Sequence, residues 1–114
     1  MTNSILNDIK KQLGMVDEYT EFDTDIIISI NSVLSVLKQM GVGPKEGFVI
    51  TSSQETWDDY LGDLDQSSLN MVKTYIYQKV RLIFDPPQSS ALLESINRQI
   101  AEFEWRLYTE SGGY

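Results

Sequence analysis

Residues 84–89 read Phe-Asp-Pro-Pro-Gln-Ser, and this short stretch separates two helical patterns in the last part of the chain. The two consecutive prolines lack the backbone N–H that a helix interior needs, and the first disfavours a helical conformation in the residue before it. The preceding helix must therefore end near Phe84. Ser89 or Ser90 can cap the helix that follows.

Apolar residues recur at steps of three and four on both sides of this turn, as they do along one face of an α-helix. Before the turn they are Leu69, Val72, Ile76, Val80 and Ile83, and after it they are Leu92, Ile96, Ile100, Phe103 and Leu107. Two amphipathic helices joined by a short rigid turn predict an antiparallel helical hairpin over 67–108, with Asp65 or Ser67 as its first cap.

The stretch before Gly41 carries the most apolar helical pattern. Its helix is predicted to begin at Asp23 or Thr24 and to end at 41–44, Gly-Val-Gly-Pro. A strand is an alternative for 26–30 because β-branched residues are frequent there, but the longer pattern of period 3.6 favours a helix. Ile28 and Val36 fall outside the main apolar face of this helix.

A shorter helix is predicted over 4–13, and Gly14 is placed to end it. Its apolar side consists of Ile5, Leu6, Ile9 and Leu13. A polar connection then leads to Phe22, which can pack on Ile27 as a hydrophobic staple.

The segment 48–50, Phe-Val-Ile, is predicted to be extended, and it either pairs with another chain or forms an extended loop. Ser52 and Glu55 then have the spacing of a capping box for a helical turn through Trp57 and Tyr60. The chain is therefore predicted to be an all-α single domain over 1–110. It would contain four main helices, with a fifth short one as an open alternative, and a flexible C-terminal tail at 111–114.

Composition excludes several kinds of chemistry. The 114 residues include no cysteine and no histidine, so disulfides, thiolate nucleophiles, imidazole bases and metal sites with nitrogen or sulfur ligands are excluded. No apolar run is long enough to span a bilayer, and no export signal is visible, so we expect a soluble protein. No cofactor is expected.

Acidic residues are concentrated in the first part of the chain. Residues 1–65 hold 4 Lys/Arg against 12 Asp/Glu, whereas 66–114 hold 5 of each. Such an acidic chain is not expected to hold DNA by its phosphates. Asp58, Asp59, Asp63 and Asp65 lack the ligand spacing of a calcium loop, so we interpret them as a solvated loop.

The chain has more apolar surface than a four-helix monomer can bury, which predicts self-association or docking to a partner. Aromatic side chains and the extended segment supply the candidates, since Trp and Tyr often anchor protein interfaces. The candidate interface residues are Phe48, Val49, Ile50, Trp57, Tyr60, Trp105 and Tyr108.

From about residue 4 to residue 108 the chain resembles the small helical head-tail connector proteins of tailed bacteriophages and prophages, also called adaptor or head-completion proteins. The resemblance rests on the length of the chain and the helix that ends before 41–43. It also rests on the segment of Trp57 and Tyr60 and on the late helix pair around Asp85-Pro86-Pro87.

This resemblance implies a structural protein of the virion, assembled in the host cytoplasm, that does no chemistry. It implies a ring of about twelve copies that contacts the portal protein above and a tail-side head-completion protein below. DNA would pass through its channel without specific binding. The main alternative is an acidic intracellular regulator or inhibitor that covers a basic surface of another protein; a magnesium-dependent hydrolase is the third.

Overall fold

The computed structural model describes residues 4–110, and all regular secondary structure in this range is helical. In chain order the helices are α1 Ile5–Gln12, α2 Asp23–Gln39, α3 Trp57–Leu61, α4 Gln66–Phe84 and α5 Ser90–Glu110. The prediction of a small all-α bundle with four main helices is confirmed, and α3 is the short fifth helix. The tail predicted at 111–114 lies outside the described residues.

The α4–α5 hairpin has the boundaries that its turn chemistry predicts. α4 ends at Phe84, and the Asp85 N–H donates to the carbonyl of Arg81 at 2.7 Å as the last bond of the helix. α5 begins after Ser89, whose hydroxyl accepts from the N–H of Leu92 at 3.3 Å. At the other end of α4, the Asp65 carboxylate accepts from an N–H of the first turn, so Asp65 is the cap.

Glycines end α1 and α2. Gly14 and Gly41 have φ of 88° and 89°, in the left-handed region that side chains with a Cβ rarely adopt. After α2, the N–H of Val42 donates back to the carbonyl of Leu37 at 2.9 Å, which satisfies a carbonyl that would otherwise lack a partner. The chain therefore leaves both helices in a defined direction.

α4 is the central helix. It packs against α2 on one side and against α5 on another, and α1 packs on α2. The ring of Phe22, before α2, lies 5.4 Å from that of Phe84, at the end of α4, so these two helices are antiparallel. On the other side, the Tyr75 hydroxyl donates to the Glu104 carboxylate of α5 at 2.8 Å. The result is a flattened bundle of 40 × 35 × 22 Å.

The apolar faces predicted from the sequence form one core. It contains Ile5, Leu6 and Ile9 of α1, Ile26, Ile30, Val33, Leu34 and Leu37 of α2, Val72, Tyr75, Ile76 and Val80 of α4, and Ile96, Ile100 and Leu107 of α5. Two residues of the predicted stripes, Ile83 and Leu92, are instead exposed. Both lie next to the hairpin turn, where no other element covers them.

The start of α3 differs from the prediction. The capping box is formed by Thr56 and Asp59: each side chain accepts a hydrogen bond from the backbone N–H of the other. Ser52 and Glu55 instead close the preceding turn, where the Glu55 carboxylate accepts from the N–H groups of Thr51 and Ser52. Both pairs have the three-residue spacing of a capping box, but only Thr56 and Asp59 form one at the start of α3.

A lysine in α1 is fully buried. Lys10 has 0% of its surface exposed, and its Nζ donates to the carbonyl of Asp17 at 3.0 Å. The same Nζ lies 2.9 Å from Asp23 Oδ1, an ion-pair contact without hydrogen-bond geometry. Lys10 thus ties the connection after α1 to the first residue of α2.

Candidate interface surfaces

The structure divides the seven predicted interface residues into two groups. Ile50, Trp57 and Tyr60 are buried, with at most 5% of their surface exposed. In the single subunit their side chains fill the core and leave almost no surface for a partner. Phe48 is partly buried, and Val49, Trp105 and Tyr108 are exposed.

Trp57 is held by the other helices. Its indole Nε1 donates to the Asp8 carboxylate of α1 at 2.9 Å, so the one polar atom of the indole is satisfied. Lys73 of α4 lies over the ring, with its Nζ 5.2 Å from the ring centroid and 3.9 Å from Asp8. Trp57 therefore joins α1, α3 and α4, a structural role.

Tyr60 packs beneath the connection between α2 and α3. Its ring lies 5.1 Å from that of Phe48, and its buried hydroxyl has no hydrogen-bond partner within residues 4–110. Burial raises the pKa of this hydroxyl far above its ordinary value. Gly43 passes so close that a Cβ at this position would lie 2.8 Å from the Tyr60 ring. The contact leaves no room for a side chain at Gly43.

The first accessible surface, which we call the α2 flank, consists of Ile28 and Val49. Asn31, one helical turn after Ile28, holds the backbone of Ile50 by two hydrogen bonds. The segment 48–50 therefore lies along α2 with Ile50 directed inward. Val49 is directed outward and leaves 61% of its surface exposed.

The second accessible surface, the α5 flank, consists of Ala101, Trp105 and Tyr108. Their spacing places them on one face of α5, to one side of the face that contains the buried residues Ile100 and Leu107. Trp105 leaves 68% of its surface exposed, more than any other large apolar side chain in the described range. The two flanks belong to different helices, α2 and α5, which both pack on α4.

A third accessible surface is not predicted by the sequence. Tyr19, Phe22 and Phe84 form a row of edge-to-face rings at the end of the bundle that contains the hairpin turn, with exposed Val16 and Ile83 beside them. We call these five residues the turn end. The sequence predicts Phe22 as a staple on Ile27, and periodicity gives no signal because Val16, Tyr19 and Phe22 lie in the connection between α1 and α2.

Two of the acidic residues near α3 cap helices. The Asp59 side chain caps α3, and Asp65 caps α4. Hydrogen bonds from the Ser67 hydroxyl and the Ser68 backbone lower the pKa of Asp65. Within residues 4–110, no group of three or more acidic side chains is arranged to hold a metal ion. No helix of that part of the chain is both long and apolar enough to cross a membrane.

The family model described as "Phage connector protein" matches residues 5–113. The matched range includes all five helices, the two flanks and the turn end. No curated protein and no solved structure matches the chain.

Proposed function

The chain belongs to the phage connector protein family, and from this premise we propose that it is one subunit of a ring between the portal and the tail. The family makes it a structural phage protein. In the proposed ring, about twelve copies extend the DNA channel from the portal protein toward a tail-side head-completion protein. The assembled protein is part of the virion, and assembly takes place in the host cytoplasm.

The position of the two flanks supports self-association in a ring. A contact between the same patch on two subunits ends at a dimer, whereas a contact between two different patches continues from subunit to subunit until it closes. Val49 on the α2 flank and Trp105 on the α5 flank are large and exposed, and the two flanks belong to different helices that both pack on α4. This relationship is the observation that carries the proposal.

The proposed interface residues are the accessible members of the sequence-based set: Val49, Trp105 and Tyr108, together with the exposed edge of Phe48. Exposed tryptophan and tyrosine bury a large area on association and lose little conformational entropy. Ile50, Trp57 and Tyr60 support these surfaces from within the subunit.

The charge of the chain is compatible with a channel. The net charge of −8 means that the subunit as a whole repels phosphate. A channel wall with this property lets DNA pass without binding it. The protein then contributes only interfaces, and no catalytic step is proposed.

Mass in solution tests the ring directly. Light scattering of the purified protein should be measured over a wide concentration range at low and high salt, alone and with the portal protein of the same phage. We expect a large closed species that survives high salt, because its contacts are mainly apolar. A monomer or dimer in every condition, including in the presence of the portal, would reject the ring. It would favour the acidic regulator instead.

A further inference from the structure

A groove opens to solvent beside Val49 of the α2 flank. It has a volume of about 310 Å³ and runs between the second half of α2 and the segment 46–49. Apolar and small residues supply most of its walls: Leu34, Ser35, Gly47, Phe48 and Val49. Phe48 is only partly buried and Val49 is exposed, so an apolar group placed in the groove would cover surface that the subunit itself leaves open.

Lys38 and Glu46 are the charged residues that line the groove, and Lys38 is available to an occupant. Its stem lies beside Gly47, where a Cβ would be 3.5 Å from Lys38 Cδ. Its Nζ makes no ion pair within residues 4–110. Lys73 shows what such a cation can do in this protein, since its Nζ lies 5.2 Å from the centroid of the Trp57 ring. A lysine at the groove therefore favours an indole as the occupant.

Trp105 of the α5 flank is an indole of this kind. It is more exposed than any other large apolar side chain in the described range, and it does not line the groove of its own subunit. Ala101, one helical turn earlier, leaves room beside the indole for the backbone of another chain. Glu102, also within one turn, is an exposed carboxylate whose bond to Arg106 is a surface ion pair. The α5 flank therefore presents one projecting indole with a carboxylate next to it.

Trp105 and the groove lie at the same end of the bundle. α2 and α5 both run antiparallel to α4, so both lead away from the turn end. Ser35 and Trp105 each follow the turn end by about four helical turns, or about 20 Å. In agreement with this, Val42 after α2 and Leu107 of α5 line one cavity. A contact between Trp105 of one copy and the groove of another therefore needs little displacement along the helices.

We propose that Trp105 of one subunit occupies this groove on a second copy of the chain. Each copy has one such indole and one such groove, so every subunit gives one contact and receives another. Because the two sites lie at the same height, successive subunits are related by rotation with little shift along the bundle, as in a closed ring and not in a helical filament. Lys38 of the receiving subunit then lies within reach of the indole face and of Glu102.

Charge also favours a second copy at this groove. The chain has a net charge of −8, so two copies approach best where a cation of one faces a carboxylate of the other. Within residues 4–110, four basic residues are outside the ion pairs: Lys11, Lys38, Lys45 and Arg81. Lys38 lines the groove, and Lys45 is next to it in sequence. The contact rests on the proposed function, because it is the contact that would join subunits around the ring.

Complementary variants test the contact. Trp105→Asp removes the indole and leaves the groove, whereas Val49→Asp places a carboxylate in the wall of the groove and leaves the indole. Leu92→Asp on α5 and Ile28→Asp on α2 are the matched controls, because each makes the same change in charge at an exposed apolar residue nearer to the turn end. Light scattering measures the mass of each variant and of an equimolar mixture of the first two, alone and with the portal protein of the same phage. Tryptophan emission is recorded on dilution.

We expect Trp105→Asp and Val49→Asp each to associate at least tenfold more weakly than the unmodified protein, because a buried interface tryptophan commonly dominates the binding energy. The two controls should differ from it by less than twofold. The mixture should form a dimer and stop there, because only one intact indole and one open groove can pair. Dilution of the unmodified protein should shift its emission to longer wavelength as Trp105 becomes exposed, whereas Trp57 stays buried.

Other outcomes overturn the contact or the ring separately. A mixture that stays monomeric, or a Val49→Asp variant that still forms the large species, would show that Trp105 does not use this groove. Equal loss in the controls would mean that any added negative charge prevents association. In these cases a large closed species of the unmodified protein would leave the proposed function intact. Filaments in electron micrographs, together with the dimer in the mixture, would retain the contact and reject the ring. An unmodified protein that is monomeric in every condition would reject both.

Discussion

The side-chain amide of Asn31 makes both backbone hydrogen bonds of Ile50. Its Nδ2 donates to the Ile50 carbonyl at 2.9 Å, and its Oδ1 accepts from the Ile50 N–H at 2.8 Å. One side chain of α2 thus gives the segment 48–50 the pair of bonds that a neighbouring strand would give. The pairing also decides which side chains face outward: Ile50 is in the core, and Val49 is on the surface.

Replacement of Asn31 tests this relationship. Asn31→Ala should lower the free energy of unfolding by about 1–3 kcal/mol, because the backbone groups of Ile50 lose their partner. Asn31→Asp should be at least as destabilising, because it removes the donor and places a carboxylate beside a carbonyl. Urea denaturation measures both, with the exposed Ser35→Ala on the same helix as control. An Asn31→Ala variant as stable as the control would show that the segment is held by packing alone.

Substitutions at neighbouring positions should separate assembly from folding. Val49→Asp and Trp105→Asp should reduce the mass of the assembled species and change the urea midpoint little, since both side chains are exposed. Ile50→Asp should prevent stable folding, because it buries an unpaired charge. Light scattering and denaturation on the same samples provide the comparison. Equal loss of stability in the Val49 and Ile50 variants would place the whole segment in the core.

Removal of the Tyr60 hydroxyl should not destabilise the protein. This hydroxyl is buried without a hydrogen-bond partner in the described part of the chain, and such a group is unfavourable by about 1–3 kcal/mol. Tyr60→Phe keeps the ring packing on Phe48 and should leave stability unchanged or raise the melting temperature. The matched change Tyr75→Phe should lower stability, because Tyr75 donates to Glu104. A larger loss of stability in Tyr60→Phe than in Tyr75→Phe would mean that the Tyr60 hydroxyl has a hydrogen-bond partner in solution.

Stability should fall at alkaline pH. Burial raises the pKa of the Tyr60 and Tyr75 hydroxyls, and the Glu104 carboxylate raises that of Tyr75 further. In the unfolded chain tyrosine titrates near a pKa of about 10. Above that pH the unfolded state loses protons that the folded state keeps. The free energy of unfolding is therefore unaffected by these groups below about pH 9. At higher pH it falls by up to about 1.4 kcal/mol per pH unit for each group.

The double variant Tyr60→Phe with Tyr75→Phe isolates the contribution of the two tyrosines, because the variant and the unmodified protein contain the same lysines. Urea midpoints at pH 8 and at pH 10.5–11 should differ less for the double variant than for the unmodified protein. An equal change in urea midpoint between the two pH values in both proteins would show that these two tyrosines do not cause the loss of stability at alkaline pH.

The buried Lys10 should be important for stability. Lys10→Met keeps most of the volume but leaves the Asp23 carboxylate and the Asp17 carbonyl without their cation. We expect a loss of about 2–4 kcal/mol in the free energy of unfolding. The double variant Lys10→Met with Asp23→Asn should recover part of that loss, because no unpaired charge remains. Failure to recover any stability would show that the packing of the lysine stem, and not the ion pair, matters.

Local chemistry made several elements predictable. Pro86 and Pro87 end α4, Gly14 and Gly41 end α1 and α2, and Asp65 begins α4 because each acts through its own backbone or through a hydrogen bond within one turn. The apolar spacing of the long helices was equally informative, because periodicity records which face is buried. These features depend on neighbours in sequence and need no knowledge of the tertiary contacts.

The accessible surfaces were harder to predict, because exposure depends on elements far apart in the chain. The sequence predicts Trp57 as an interface residue, whereas in the structure it contacts Asp8 and Lys73, which are 49 and 16 positions away. The row of Tyr19, Phe22 and Phe84 exists only because α2 begins where α4 ends. Neither relationship has a periodic signature.

The sequence by itself thus determined the four main helices and their ends, the hairpin, the acidic character and the absence of cysteine and histidine chemistry. The tertiary structure alone decided which of two adjacent residues, Val49 or Ile50, reaches the surface. It also decided that the α2 flank and the α5 flank both remain exposed. The physical reason is that helix propensity and capping act within a few residues, whereas burial is set by the packing of helices that are remote in sequence.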